Sequence, residues 1–223
     1  MIGALHFVQK NICEETEMRV LITGFDPFGG ERVNPSFEAV KLLPDTVAGA
    51  EIIRLELPTV FSESAAVIEA AIQTHRPDII LNVGQAGGRR CITPEKVAIN
   101  LADARIADNA GAQPVELPLQ TDGETAYFAT VPVKAMVRNM KEHGISAEVS
   151  YTAGTFVCNA VMYNTQYLIA KKYPGIRAGF IHVPFATEQC EGKPDGTPFM
   201  ELAVIAKGLE YAVETAVSEA DES

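Results

Sequence analysis

Residues 18–38 read MRVLITGFDPFGGERVNPSFE, and this stretch decides the fold class. Its residues 19–23 are a short apolar run, which predicts a buried strand. A glycine-rich turn follows, and Asn34-Pro35-Ser36 predicts the start of a helix, because Asn is a favoured N-cap and Pro fits the first helical turn. A strand, a turn and a helix in this order are typical of an α/β protein.

The same alternation continues toward the C-terminus. Residues 53–57 alternate apolar and charged side chains, as a strand does, and the apolar positions of residues 61–72 recur at helical spacing up to Pro77. Residues 103–125 are polar and contain Gly and Pro, so we expect a long surface loop there. This order predicts a mostly parallel, twisted sheet with helices on both faces. Further strands are expected at residues 78–83, 96–101, 148–151 and 179–183, and further helices at residues 133–143, 155–172 and 198–219.

Length and charge limit the class of protein. The 223 residues, 47% of them hydrophobic and 21% charged, suit one globular domain and exclude a disordered chain or a disulfide miniprotein. Residues 1–17 differ in character from the rest, so we expect a poorly ordered N-terminal appendage and a single α/β domain over residues 18–223. A net charge of −11 without a basic run argues against nucleic acid or an anionic membrane as a partner.

The cysteines and the apolar runs point to a reducing compartment. No run reaches the ~18–20 apolar residues of a membrane span, and the N-terminal apolar run is too short for a signal peptide. Cys13, Cys91, Cys158 and Cys190 form no CxxC pair, and no histidine stands near them at zinc-ligand spacing, so we expect no metal. We therefore expect a cytoplasmic protein with reduced thiols and no cofactor.

One cysteine and one histidine stand where chemistry is expected. The predicted strand at residues 148–151 runs through a glycine turn into a helix, so Cys158 falls in the first helical turn, where the helix dipole favours a thiolate and free N–H groups can receive an oxyanion. His182 lies near the carboxyl end of another predicted strand, at the same edge of the sheet. A thiol and an imidazole suffice for nucleophilic acyl transfer, although each residue alone also fits a place in the core.

A third group is needed to orient the imidazole, and two carboxylates compete for that role. Glu95 follows the glycine loop at residues 84–88, and Asp103 lies just beyond the predicted strand at residues 96–101. The glycine loop matches neither GxGxxG nor the Walker pattern, so phosphate binding is not expected. Close approach of its backbone to a neutral ligand is the favoured interpretation.

Two phenylalanines and an arginine complete the candidates. Phe25 and Phe28 lie in the glycine-rich turn after the first strand, where they either fill the core or form a flat apolar clamp. Arg105 is either a solvated charge or a cation of the site. His75 and His143 are expected to be structural, since each lies near the end of a predicted helix, where a cation suits the dipole.

Five stretches together resemble the pyroglutamyl peptidase I family of cysteine peptidases. They are GFDPFGGERVNPS (24–36), VGQAGGR (83–89), ITPEKVAINLADARIADN (92–109), SYTAGTFVCN (150–159) and GFIHVPF (179–185). The resemblance runs from about residue 18 to about residue 209 in unbroken order, and it leaves out the first 17 residues and the acidic tail.

The resemblance implies a three-layer α/β/α sandwich, a Glu–Cys–His triad at Glu95, Cys158 and His182, and a peptide substrate that begins with pyroglutamate. It also places Phe25, Phe28 and Gln85 around a lactam pocket and Arg105 near the catalytic centre, and it implies a homotetramer without a cofactor. Two other functions stay open from the residues alone. One is a thiol amidohydrolase of the amidotransferase kind, and the other is a non-catalytic domain that binds a small molecule.

Overall fold

The computed structural model describes residues 18–219, which form ten strands, five α-helices and one short 3₁₀ turn. The expected appendage at residues 1–17 lies outside the described residues. The strands are β1 (Arg19–Phe25), β2 (Thr46–Val47), β3 (Ala50–Leu57), β4 (Ile79–Gln85), β5 (Thr93–Glu95), β6 (Val97–Ile99), β7 (Ala126–Phe128), β8 (Arg177–Val183), β9 (Phe185–Ala186) and β10 (Phe199–Met200). The helices are α1 (Pro35–Lys41), α2 (Ser64–His75), α3 (Val133–Glu142), α4 (Val157–Lys171) and α5 (Leu202–Ser218).

Six strands form the central sheet in the order β2-β3-β1-β4-β8-β5. The four inner strands are parallel, and the short strands β2 and β5 pair antiparallel at the two edges. After β1 the chain crosses to β3 on one side, and after β3 it returns to β4 on the other side of β1. The direction of winding therefore reverses between β1 and β4, and the crevice at their carboxyl ends is where such sheets bind ligands.

Helices cover both faces of the sheet, so the expected α/β sandwich with a mostly parallel sheet is confirmed. One face carries α4 and α2, and a buried chain of hydrogen bonds links Thr23 and Asn82 of the sheet to Thr165 of α4. The other face carries α1, α3 and α5, and there Gly24 allows the backbone of Phe37 in α1 to approach closely. Successive residues of a strand point to opposite faces, which fixes the face of every site residue below.

Local signals read from the sequence fix the ends of several elements. Asn34 caps α1, and its side chain accepts a hydrogen bond from the Ser36 N–H at 3.1 Å. Arg76 ends α2 in the left-handed conformation directly before Pro77, and Gly144 (φ 77°) follows α3. Within the described chain, residues 103–125 contain neither a strand nor a helix, as expected. No helix of residues 18–219 combines the length and the hydrophobicity that a membrane span needs.

One sequence-based expectation about elements is wrong, and two others differ in their bounds. The strand expected at residues 96–101 is only β6, and it pairs with β7 in a separate two-stranded sheet, because the preceding residues of β5 occupy the sheet edge beside β8. Residues 148–151 form no strand, and their pairing with β5 is an isolated parallel bridge between Ser150 and Glu95. The last helix begins at Leu202, since Phe199 and Met200 pair with β9 instead.

Candidate active site

Residues from three elements meet at the carboxyl end of the sheet. Gly84 in β4 and His182 in β8 are register partners on adjacent strands, so the side chain of His182 stands beside the space above Gly84. The thiol of Cys158 occupies that space, since a Cβ atom placed on Gly84 would lie 2.8 Å from Cys158 Sγ. The absence of a side chain at Gly84 thus leaves room for the thiol and the imidazole to lie side by side.

The start of α4 positions the thiol. Cys158 is the second residue of α4, so its expected place in the first helical turn is confirmed. Gly154 (φ 76°) makes the turn that leads into the helix. Asp103 and Thr155 exchange hydrogen bonds across this turn, with Thr155 Oγ1 donating to the Asp103 carbonyl at 2.7 Å. The first turn of α4, whose N–H groups lie next to the thiol, therefore follows a turn that these hydrogen bonds hold in place.

A carboxylate holds the imidazole of His182. The antiparallel pairing of β5 with β8 brings Glu95 Oε1 to 2.7 Å from His182 Nδ1. Both side chains are buried, and that of Glu95 is 0% exposed. An ionised carboxylate only accepts hydrogen bonds, so Nδ1 carries the proton and Nε2 is the nitrogen that can take a proton from a neighbouring group.

Burial and charge together set the protonation of this pair. Burial favours the neutral form of Glu95, but the hydrogen bond of His182 and the charge of Arg89 outweigh it and hold the pKa of Glu95 below its ordinary value. Burial lowers the pKa of His182, although Glu95 acts in the opposite direction. At neutral pH the pair is therefore an ionised carboxylate and a neutral imidazole.

The thiol is neutral as well. Burial and the nearby charge of Glu95 raise the pKa of Cys158 to about 12, against the opposing charge of Arg89. Loss of hydration thus outweighs the lowering effect of the backbone N–H groups at the start of α4, whereas the sequence led us to expect a thiolate favoured by the helix dipole. The site at rest is therefore a neutral thiol beside a neutral imidazole, and any thiolate forms by proton transfer within the pair.

Sequence reasoning missed Arg89. The turn after β4 places its guanidinium against the buried carboxylate, with Nη1 2.6 Å from Glu95 Oε1. The same group contacts the hydroxyl of Thr93, and Nη2 donates to the Thr152 carbonyl at 3.0 Å. The only signal in the sequence was a basic residue directly after a buried strand and its glycine turn, and that signal is weak.

The glycine turn before Arg89 serves the packing of the chain itself. A Cβ on Gly87 would lie 2.1 Å from the ring of Phe185, and Gly88 has a φ of 92°. At Gly87 the close approach is thus made to Phe185, and the expected approach of the loop backbone to a neutral ligand stays a prediction.

An aromatic group borders the thiol on the side of β1. Phe25 is buried on the Cys158 face of the sheet, with its ring centroid 6.4 Å from that of Phe180, which also abuts Gly84. Phe28 is half-buried in the turn after β1 and lies 6.2 Å from Phe156, the N-cap residue of α4. Phe25 therefore belongs to the core under the site, whereas Phe28 is a partly open wall beside it.

Gln85 is at the site, but its side chain points away from the thiol. Gln85 follows Gly84 in β4 and therefore faces the opposite side of the sheet. There its Oε1 accepts a hydrogen bond from Gln189 Nε2 at 2.9 Å. The buried Gln189 also accepts from the Ala186 N–H, so its amide orientation is fixed. Only the backbone of Gln85 faces the crevice between β1 and β4.

Arg105 and Asp103 lie at the rim. Both are exposed, and they line a cavity with Phe28, Thr155 and Phe156 next to the start of α4. The carboxylate that contacts His182 is Glu95 and not its rival Asp103.

The remaining candidates lie elsewhere. His75 is exposed in the last turn of α2, and His143 stacks on Tyr211 at 4.1 Å. Cys91 is buried, and this burial raises its pKa, whereas Cys190 is half-buried. Cys13 falls outside the described residues. Within residues 18–219, no three His, Cys, Asp or Glu side chains are grouped as ligands of a metal ion.

The chain is similar to known proteins over most of its length. The family model described as pyroglutamyl peptidase matches residues 18–219. The chain is 59% identical over 200 residues to a pyrrolidone-carboxylate peptidase of Clostridium botulinum, covering 90% of this chain and 93% of that protein. It is 58% identical, with the same coverage, to a pyrrolidone-carboxylate peptidase of Enterococcus faecalis.

A solved structure gives the same result. The crystal structure of pyroglutamyl peptidase I from Bacillus amyloliquefaciens superposes with a TM-score of 0.89 at 51% identity, over 92% of this chain and 97% of that one. The resemblance seen in the five sequence stretches is thereby confirmed. The chain belongs to the pyroglutamyl peptidase family.

Proposed function

We propose that this protein removes pyroglutamate from the N-terminus of peptides, with Cys158 as nucleophile, His182 as general base and acid, and Glu95 as the group that orients the imidazole. The observation that carries this proposal is the buried Glu95–His182 contact of 2.7 Å beside the thiol above Gly84, in a chain of this family. A nucleophile, a base and an orienting group in this order are the parts of a catalytic triad.

The reaction begins with proton transfer. His182 Nε2 takes the proton of the thiol while Sγ attacks the pyroglutamyl carbonyl, so the thiolate need not exist free in the resting site. Glu95 accepts from Nδ1–H and stabilises the imidazolium that forms. Because burial raises the pKa of Cys158 and lowers that of His182, the ion pair is favoured only when the substrate carbonyl takes up the developing charge.

The tetrahedral intermediate then collapses to a thioester. Its oxyanion is received by first-turn N–H groups of α4 near Cys158, and Arg105 at the rim adds positive charge. The imidazolium of His182 gives its proton to the leaving amine as the C–N bond breaks. Water, deprotonated by His182, next attacks the thioester. The C–S bond breaks, pyroglutamate is released, and the imidazolium returns its proton to the thiolate. These steps need no metal and no cofactor.

The lactam ring fits the crevice between β1 and β4. Pyroglutamate is a flat, neutral five-membered lactam with one N–H donor and one ring C=O acceptor. Phe28 supplies an apolar wall on the open side, and Phe25 forms the apolar floor beneath. The carboxylate of Asp26 is turned away to the Thr59 N–H, from which it accepts at 2.7 Å. A neutral ring thus meets apolar surface, and a charged amine would find no carboxylate partner in this loop.

The backbone of Gln85 supplies the matching polar groups. The pairing of β1 with β4 ends at Thr23 and Asn82, whereas β4 continues beside β8 to Gln85. The Ala86 N–H donates to the Val183 carbonyl at 2.9 Å. Backbone groups alternate in direction along a parallel strand, so those of Gln85 point toward β1, beyond the last paired residues. They offer one donor and one acceptor to the lactam.

Hydrolysis of two anilides and of glutamine tests the proposal. We expect pyroglutamyl anilide to be hydrolysed at least ~10³-fold more efficiently than prolyl anilide, since proline lacks the ring carbonyl and carries a charged amine that the pocket leaves unpaired. Glutamine amide should be a poor substrate. Preferential release of ammonia from glutamine would favour the amidohydrolase alternative, and no turnover of any of the three would favour a binding domain.

We further propose that the chain acts as a homotetramer in the cytoplasm. Large apolar side chains are exposed at Val115, Leu117 and Phe128, which suits contact with another subunit. A catalytic thiol suits a reducing compartment. Light scattering in solution should give four times the mass of one chain, and a monomer mass would contradict the tetramer.

A further inference from the structure

Arg89 shares a single carboxylate oxygen with the catalytic histidine. Its Nη1 lies 2.6 Å from Glu95 Oε1, and His182 Nδ1 lies 2.7 Å from the same atom. Two further contacts, with the hydroxyl of Thr93 and with the carbonyl of Thr152 at 3.0 Å, hold the guanidinium in place. The guanidinium therefore contacts the carboxylate that holds the histidine.

A cation at this place has an electrostatic role. The side chain of Glu95 is 0% exposed, and a buried carboxylate stays ionised only when it is paired and hydrogen-bonded. Since His182 is neutral at rest, Arg89 is the charged partner that Glu95 has before reaction. The side chain of Arg89 is 27% exposed, so its own charge keeps part of its hydration.

We propose that Arg89 is a positioning residue that acts through Glu95, keeping this carboxylate ionised and fixed so that it orients His182. This inference rests on the triad proposed above and adds a fourth member that touches neither substrate nor thiol. Loss of Arg89 should therefore lower kcat and leave KM nearly unchanged.

The charge also has a predictable effect on the pH profile. The titratable and charged groups that bear on His182 are Glu95 and Arg89, and the same two groups bear on Cys158. At a pH where Glu95 stays ionised, the charge of Arg89 disfavours the imidazolium, so its removal should raise the pKa of His182. The acid limb of kcat/KM should accordingly move to higher pH.

The test compares Arg89→Gln and Arg89→Lys with the control Arg90→Gln, which removes the same charge from the exposed neighbouring residue. For Arg89→Gln we expect kcat to fall by about 10–10²-fold, as for a displaced catalytic group, with the acid limb at higher pH. Arg89→Lys should keep the wild-type acid limb and recover part of kcat. Arg90→Gln should match the wild type in kcat and in the position of the acid limb. An unshifted acid limb in Arg89→Gln with lowered thermal stability alone would overturn the proposal.

A double-mutant cycle shows whether Arg89 acts through Glu95. We expect Arg89→Gln combined with Glu95→Gln to be no slower than Glu95→Gln alone, because the carboxylate through which the arginine acts is gone. Additive losses of kcat would overturn the inference. Failure of the proposed function is distinguishable, since wild-type activity in Glu95→Gln itself would refute the triad whatever Arg89 does.

Discussion

Replacing Gly84 by alanine tests whether the thiol and the imidazole need their observed spacing. The new Cβ would lie 2.8 Å from Cys158 Sγ and 2.7 Å from Phe180 Cζ. Nonbonded heavy atoms are comfortable at about 3.5–4.0 Å, so the thiol must move by about 1 Å. A displacement of that size costs about 10²-fold in rate. The overpacking costs about 1–3 kcal/mol of stability, or roughly 2–12 °C in Tm for a domain of this size.

Gly179→Ala is the matched control for this variant. Its Cβ would meet Val131 Cγ2 at 2.4 Å, on the face of the sheet opposite to Cys158. Both variants should therefore lose stability, whereas only Gly84→Ala should lose kcat on pyroglutamyl anilide. The assay measures kcat and KM below both melting temperatures. If Gly84→Ala keeps wild-type kcat while its Tm falls as in the control, the spacing of thiol and imidazole does not govern the rate.

Four further outcomes are expected. The kcat/KM of the wild type should hold as the pH falls to 6.5 and drop only below it, because burial lowers the pKa of His182; an acid limb above pH 6.5 would contradict this. Phe28→Ala should raise KM more than it lowers kcat, since a wall holds the ring alike in ground and transition states, and an unaltered KM would mean that specificity lies elsewhere. Glu95→Gln should reduce kcat and Asp103→Asn should leave it near wild type; the reverse result would show that Asp103, and not Glu95, orients His182. Deletion of residues 2–17 should leave activity and Tm unchanged, and a loss of several degrees would show that this segment docks on the rest of the chain.

Most strands and helices of the fold could be predicted from the sequence, because the local signals specify the same elements that the packing requires. The apolar run of β1, the cap at Asn34 and the buried strand β4 each depend on a few consecutive residues. The place of Cys158 follows from the glycine turn at residue 154 and the helix after it. Local strand, cap and turn signals of this kind specify the same elements in any fold that buries the strand.

What the sequence could not predict depends on contacts between distant residues. β5 is three residues long with Pro94 at its centre, so neither periodicity nor propensity indicates a strand, yet its antiparallel pairing with β8 brings Glu95 to His182. The role of Arg89 depends on the same pairing. The neutral resting thiol follows from burial by the assembled sheet and not from the helix dipole that the local sequence suggested.

The most direct test of the account is the hydrolysis of pyroglutamyl anilide by Cys158→Ala beside Cys91→Ala as a control. Circular dichroism should show both variants folded, since each substitution removes only one sulfur atom. With Cys158 as the nucleophile, kcat/KM of Cys158→Ala falls by more than about 10³-fold, and Cys91→Ala keeps wild-type activity. A folded Cys158→Ala variant with substantial turnover would contradict the account.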